Sequence, residues 1–157
     1  MSRKLALGYG ASAHLAYWEA QDFKDAANAA YKKELYKPVI VNLAFSCELY
    51  MKSLLMLKNK GKSVIEGHKL NDLFLKLDNS VQERIIQESC IKKWNEFMTD
   101  SSNAFEAWRY YYEKDKSMVG HISELSALAE VLDNICTEIF SKKEYWGGKK
   151  EKQPDGC

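Results

Sequence analysis

Apolar residues along this chain return at intervals of three and four, the spacing of one face of a helix. Ala16, Ala20, Phe23, Ala27, Ala30 and Leu35 predict a first helix over residues 12–35. Small side chains dominate that stripe, so a neighbouring helix can come close. Lys37-Pro38 then predicts a break: proline disfavours helical conformation in the residue before it and suits the first turn of the helix that follows. The second helix, residues 38–60, carries Val39, Ile40, Leu43, Ala44, Cys47, Met51, Leu54, Leu55 and Leu57. Apolar over more than half its circumference, it is expected to be the central helix of a bundle. Asn59-Lys60-Gly61 predicts its end, with basic charge in the last turn and Gly61 as the cap.

After a loop over residues 61–67, a shorter helix is expected to start near His68 and to carry Leu70, Leu73, Phe74 and Leu77. Asn79-Ser80 stops it, and Ser80 with Glu83 has the spacing of a capping box for the next helix. Val81, Ile85, Ile86, Trp94, Phe97 and Met98 continue the pattern, with a break expected near Cys90. The polar run over residues 100–103 predicts another interruption. Phe105, Trp108 and Tyr112 predict a helix beyond it, and residues 113–120 a charged loop. Ile122, Leu125, Leu128, Leu132, Ile135 and Ile139 share one face of a last helix. The tail, residues 147–157, has no apolar periodicity and is expected to be flexible. The pattern therefore predicts an all-α fold, a compact helical bundle of about five to six helices, as a single domain over residues 1–146.

Composition narrows the picture further. The chain's 157 residues make one domain of ordinary size, large enough to bury a core. Its two prolines and eight glycines are too few for an all-β fold with its many turns. The formal net charge of +1 argues against a surface that coats DNA in bulk, while leaving room for a local basic patch. Cys47, Cys90, Cys136 and Cys157 include no CxxC spacing; the first three fall in apolar helical patterns, which predicts buried reduced thiols. No role is assigned to Cys157. Residues 39–57 are the most apolar stretch, but Asn42, Glu48 and Lys52 interrupt it, so no membrane span is expected. Ser2-Arg3-Lys4 and the short apolar stretch after it, broken by Gly8 and Gly10, are read as a mature N-terminus, with the cytoplasm as the expected compartment.

Candidate chemistry gathers in three places. Glu48 and Lys52 stand one turn apart in the orientation that favours an ion pair, inside the most apolar helix. A carboxylate buried there needs a cationic partner. Gly67-His68 sets an imidazole at a helix start, where the dipole disfavours its protonated form; it can serve as an acid–base group or as a cap. Trp108-Arg109-Tyr110-Tyr111-Tyr112-Glu113 brackets an arginine with aromatic rings, a grouping that can bind phosphate or simply form an Arg109–Glu113 pair. His121, at the entrance of the last helix, is a candidate partner for Arg109. No phosphate-cradling glycine loop, nucleophile elbow, HExxH or EF-hand pattern occurs. His14, His68 and His121 are scattered, so neither a metal site nor a cofactor is expected.

The run Ala44-Phe45-Ser46-Cys47-Glu48-Leu49-Tyr50-Met51-Lys52-Ser53-Leu54-Leu55 resembles the central helix of HEPN-superfamily proteins, where a Glu and a Lys recur one turn apart. Gly67-His68-Lys69-Leu70, with Leu73, Phe74 and Leu77, resembles the element that follows. Phe105-x-x-Trp108-Arg109-Tyr110-x-Tyr112-Glu113 resembles a later helix of some prokaryotic members. The resemblance implies a helical bundle that forms a homodimer. It also implies a family rich in metal-independent ribonucleases of toxin–antitoxin, abortive-infection and CRISPR-linked antiviral defence. In active members an Arg, followed four to six residues later by His, would hold the scissile phosphate while the His serves as acid–base. Arg3, Arg84 and Arg109 are the only arginines here, and none has a His at that distance.

The expectation is therefore a binding or regulatory module that takes RNA, a nucleotide or a partner protein. Its groove would be lined by Glu48, Lys52, His68, Arg109, Tyr112 and Glu113. One alternative is a ribonuclease with a degenerate site drawing on Arg109, His121 or His68. Another is a structural helical subunit of a larger complex.

Overall fold

The computed structural model describes residues 9–60, 65–102 and 121–142, with side chains from Ser12 onward. Among these residues the chain is helical throughout, without strands: α1 (Tyr9–Lys32), α2 (Tyr36–Asn59), α3 (Leu70–Lys76), α4 (Asn79–Ser89), α5 (Trp94–Ser102) and α6 (Ile122–Phe140). The all-α helical bundle expected from the sequence is what forms.

α1 and α2 make an antiparallel hairpin. Ala13, Ala16, Ala20, Ala27 and Ala30 are buried along α1, and these small side chains let α2 approach closely enough to bond to the α1 backbone. Ser46 Oγ donates to the Ala20 carbonyl at 2.7 Å, and Ser53 Oγ to the Ala13 carbonyl at 2.6 Å. The turn between them passes through Glu34 in the left-handed region (φ 57°), and Leu35 N donates back to the Ala30 carbonyl at 3.0 Å. α1 thus ends before Leu35, which is exposed rather than part of the buried stripe.

α2 is the central helix. Twelve of its residues are buried, from Val39 to Leu55. By length and mean hydropathy (1.4) it meets what a bilayer-spanning helix needs, contrary to the expectation that its polar residues would rule this out. In the fold, 67% of its most apolar window is buried inside the bundle. α6 packs on it through Leu125, Leu128, Leu132 and Ile135, all buried. Cys47 Sγ reaches the Leu125 carbonyl at 3.8 Å, and Cys136 Sγ the Tyr50 carbonyl at 3.9 Å. α3 and α5 close another side, with Phe74, Trp94 and Phe97 in successive ring contact at 4.9 and 5.9 Å. Arg84 of α4 ties to Glu138 of α6 through paired hydrogen bonds of 2.6 and 2.7 Å.

Several element ends differ from the sequence expectations. Lys37 lies inside α2, not outside it, because the helix starts at Tyr36 and Pro38 falls in the first turn, where a missing N–H costs nothing. The left-handed cap of α2 is Lys60 (φ 50°), whose N–H meets the Leu57 and Met56 carbonyls, so the chain has already turned before Gly61. α3 begins at Leu70, two residues after His68. The Ser80–Glu83 capping box does not form, because α4 starts at Asn79 with Asp78 as N-cap. The Asp78 carboxylate turns instead to Lys58 Nζ at 2.9 Å. The break at Cys90 is present and left-handed (φ 54°), but Cys90 is exposed, not buried like Cys47 and Cys136. Asp100, Ser101 and Ser102 belong to α5; Phe97, Met98 and Ser101 share its buried face and carry the helix through the polar run.

Candidate functional site

The site is organised around one buried carboxylate. Glu48 lies on the central helix, and its side chain is only 2% exposed. One turn later, Lys52 donates from Nζ to Glu48 Oε1 at 2.7 Å, with its own side chain 14% exposed. The aliphatic stem of Lys52 is packed away while its ammonium meets the carboxylate. The pair predicted from spacing alone is therefore largely desolvated and unlike an ordinary solvated surface pair.

His68 comes to the same oxygen. Its Nδ1 lies 2.8 Å from Glu48 Oε1, and its side chain is 57% exposed. The residue before it, Gly67, has φ 96°, a conformation open to glycine and strained for other residues. A carboxylate paired with an ammonium accepts hydrogen bonds, so the contact is made by the tautomer of His68 that carries its proton on Nδ1. In the neutral ring Nε2 is then the basic nitrogen. The result is an imidazole accessible from solvent and oriented by a buried carboxylate, which in turn is held by a lysine. Such an arrangement can bind an oxyanion, or take and return a proton.

His121 sits elsewhere in the polar framework. It is the N-cap residue of α6, and its Nε2 lies 3.2 Å from Asp100 Oδ2 on α5. The Phe97 ring packs at 6.0 Å, and Nδ1 is buried without a hydrogen-bond partner among the described residues. Sequence reasoning misses Asp100 because its polar segment predicts a break; the apolar spacing of Phe97, Met98 and Ser101 is the signal that the helix continues. Arg109, Tyr112 and Glu113 lie outside the described residues. Of the expected groove, the structure brings together Glu48, Lys52 and His68.

A second polar cluster, across α1 and α6, has no counterpart in the sequence expectations. Lys24 Nζ donates to Asp133 Oδ2 at 2.8 Å and meets Glu130 Oε2 at 2.6 Å. Gln21 Nε2 donates to Tyr17 Oη at 2.8 Å and to Asp133 Oδ1 at 3.2 Å, and Tyr17 Oη bonds Thr137 Oγ1 at 2.7 Å. Burial works against the Lys24 ammonium, but hydrogen bonds and charge from Asp133 and Glu130 outweigh it and raise the pKa. Burial, reinforced by the Asp133 charge, pushes the Tyr50 phenol well up. The Tyr50 hydroxyl has no partner at hydrogen-bond geometry among the described residues. The spacing of Tyr17, Gln21 and Lys24 on one face of α1 and of Glu130, Asp133 and Thr137 on α6 is visible in the sequence. Their facing one another is not. The cluster fastens α1 to α6.

His14, the remaining histidine, is buried against Trp18 (4.2 Å), Phe140 (4.7 Å) and Tyr17 (5.7 Å). Burial lowers its pKa. Among the described residues no three His, Cys, Asp or Glu side chains gather as a metal site. Comparison of the chain with protein-family models, curated proteins and solved structures returns no significant match.

Proposed function

We propose that this chain is a HEPN-like helical module that binds single-stranded RNA at the surface around His68, acting as a homodimer in a prokaryotic defence or toxin–antitoxin setting. The observation that carries the reading is the exposed His68 imidazole held at 2.8 Å by the buried Glu48 carboxylate. Holding the ring in one orientation removes the entropy cost of ordering it when a ligand arrives. When its Nε2 also carries a proton, the ring can donate to a phosphate oxygen. The Glu and Lys one turn apart on the central helix, and the His two residues before the next helix, carry the family resemblance. The homodimer and the defence setting rest on that resemblance alone.

A second reading draws on the same contact. A carboxylate-oriented imidazole is also an acid–base group, so His68 could take the proton of an RNA 2′-hydroxyl and make the module a metal-independent ribonuclease. The missing Arg-to-His spacing weighs against it.

One experiment tests both. Purified protein is titrated into labelled single-stranded RNA and tRNA without metal ions, followed by anisotropy and by gel, beside His68→Ala and His68→Asn. Binding that weakens about tenfold or more in both variants, and that falls with rising salt, supports the module. Cleavage lost in both variants supports the ribonuclease. Wild-type protein that neither binds nor cuts RNA overturns both. Light scattering over a dilution series checks the homodimer; a monomer at all concentrations removes that part of the proposal.

A further inference from the structure

A cavity of about 560 Å³ opens between the α1–α2 turn and the start of α6, within the size range of small-ligand sites. Its floor is apolar: Ala27, Val39, Leu43 and Ile122. Two tyrosines wall its mouth, Tyr31 at 57% exposure and Tyr36 at 42%, with their rings 6.2 Å apart and close to perpendicular. Asn28 and Ser126 add an amide and a hydroxyl, both on exposed residues. Among the described residues no charged side chain lines the cavity. The lining suits a neutral group with an apolar face to lay on the floor and the rings, and with edge groups for an amide and a hydroxyl.

The surroundings have the opposite character. The wall residues belong to the run Tyr31-Lys32-Lys33-Glu34-Leu35-Tyr36-Lys37, in which all three lysines are exposed. A neutral aromatic cavity bordered by cations matches a nucleobase, neutral and planar, attached to an anionic backbone. An apolar side chain of a partner protein would fill the floor, but it would offer nothing to the amide, to the hydroxyl or to the positive charge of Lys32 and Lys33. The side-chain amide of asparagine can also pair with two atoms on a base edge, which gives the cavity a means of preferring one base.

We infer that this cavity receives an unpaired nucleobase of single-stranded RNA, with one of the two perpendicular rings, Tyr31 and Tyr36, stacking on its face and the other meeting its edge, and with Lys32 and Lys33 facing the adjacent phosphates. The inference rests on the RNA-binding reading and adds a second, base-reading contact to it. Leu43 at the cavity floor and Glu48 at the His68 site are five residues apart on α2, about 7–8 Å along the helix axis and about 140° around it, so the two contacts lie on different faces of α2.

The test uses the full chain and short labelled RNA of about a dozen nucleotides, a length that covers typical single-strand sites. Tyr31→Ala and Tyr36→Ala, each checked for folding by circular dichroism, are titrated beside Tyr31→Phe and His68→Ala. Loss of one stacking contact is expected to weaken binding by about tenfold, with the Phe variant close to wild type. Replacing one nucleotide by an abasic unit should cost wild type a similar factor and the tyrosine variants little. Wild-type affinity in both Ala variants, with loss in His68→Ala, overturns the cavity assignment and leaves the His68 site standing. The converse keeps the cavity and overturns the His68 site. Equal sensitivity of wild type and Ala variants to the abasic unit overturns stacking. Adenosine, cytidine, guanosine and uridine monophosphates serve as competitors. Displacement of RNA from wild type but not from the tyrosine variants places the base in the cavity. Saturation by a monophosphate with no binding of RNA overturns the strand as its source.

Discussion

Glu48 is a carboxylate taken out of water with two partners on a single oxygen, Lys52 and His68. Removing it leaves a largely buried ammonium without its counter-charge, while removing His68 leaves the Glu48–Lys52 pair intact. Glu48→Ala is therefore expected to destabilise the fold by about 3 kcal/mol, the scale for breaking a buried ion pair, and His68→Ala by much less. Urea unfolding of the two variants measures the difference; equal losses would show that the carboxylate is not held in the fold by Lys52. His14 makes a separate statement at this scale. Its folded pKa lies below the ordinary value of 6.5 because burial disfavours the imidazolium. The unfolded chain then takes up the proton first. Stability is full above that value and declines as pH falls through it toward the lower folded value. Melting temperatures of wild type and His14→Phe, compared between about pH 7.5 and pH 5, should diverge in the acid limb, with wild type losing more. Parallel curves would show that His14 carries no such penalty.

At the scale of elements, the α1–α2 hairpin depends on small side chains more than on large ones. Ala20 is fully buried, and its carbonyl accepts from Ser46, so the backbones there are within one hydroxyl of each other. Ala20→Leu is expected to push the helices apart, break that bond and cost about 3 kcal/mol, at the upper end for overpacking. Thermal melting reads the loss, and a neutral substitution would mean the interface has slack. The alanine periodicity is legible in the chain alone, because side-chain size and spacing are local properties. Where α4 begins is not. Ser80 and Glu83 have the right spacing for a cap, but Asp78 starts the helix, and its carboxylate goes to Lys58, a residue on another helix. Spacing cannot weigh a local cap against a partner that only folding delivers.

For the molecule as a whole, the core runs continuously through α1, α2 and α6 and is closed by α3, α4 and α5. Cys47 and Cys136 lie inside it, and burial raises both thiol pKa values well above the ordinary range. Neither should react with a thiol reagent until the bundle opens, whereas Cys90 is exposed and should react in the native state. Peptide mass spectrometry after alkylation across a urea series is expected to show Cys90 modified first, and Cys47 and Cys136 together at the global transition. Early modification of Cys136 alone would show α6 detaching before the rest. The sequence patterns around the three cysteines are alike. Only the left-handed turn at the end of α4 separates Cys90 from the other two, and that turn is a tertiary outcome.

Fold class, the central helix, the small-residue stripe of α1 and the Glu48–Lys52 pair were determined by the sequence itself. Each depends on residue type and on spacings of three or four along one helix, and the helix geometry is known in advance. Three things were decided only by tertiary structure. His68 comes back to Glu48, a contact between residues 20 apart in the chain. Asp133 meets Lys24 across the α1–α6 interface, 109 residues apart. Tyr31 and Tyr36 become the walls of a cavity because the first turn of α6 completes its lining. These contacts depend on how helices cross and where turns return the chain, and those choices are made by the packing of the whole core rather than by any local stretch.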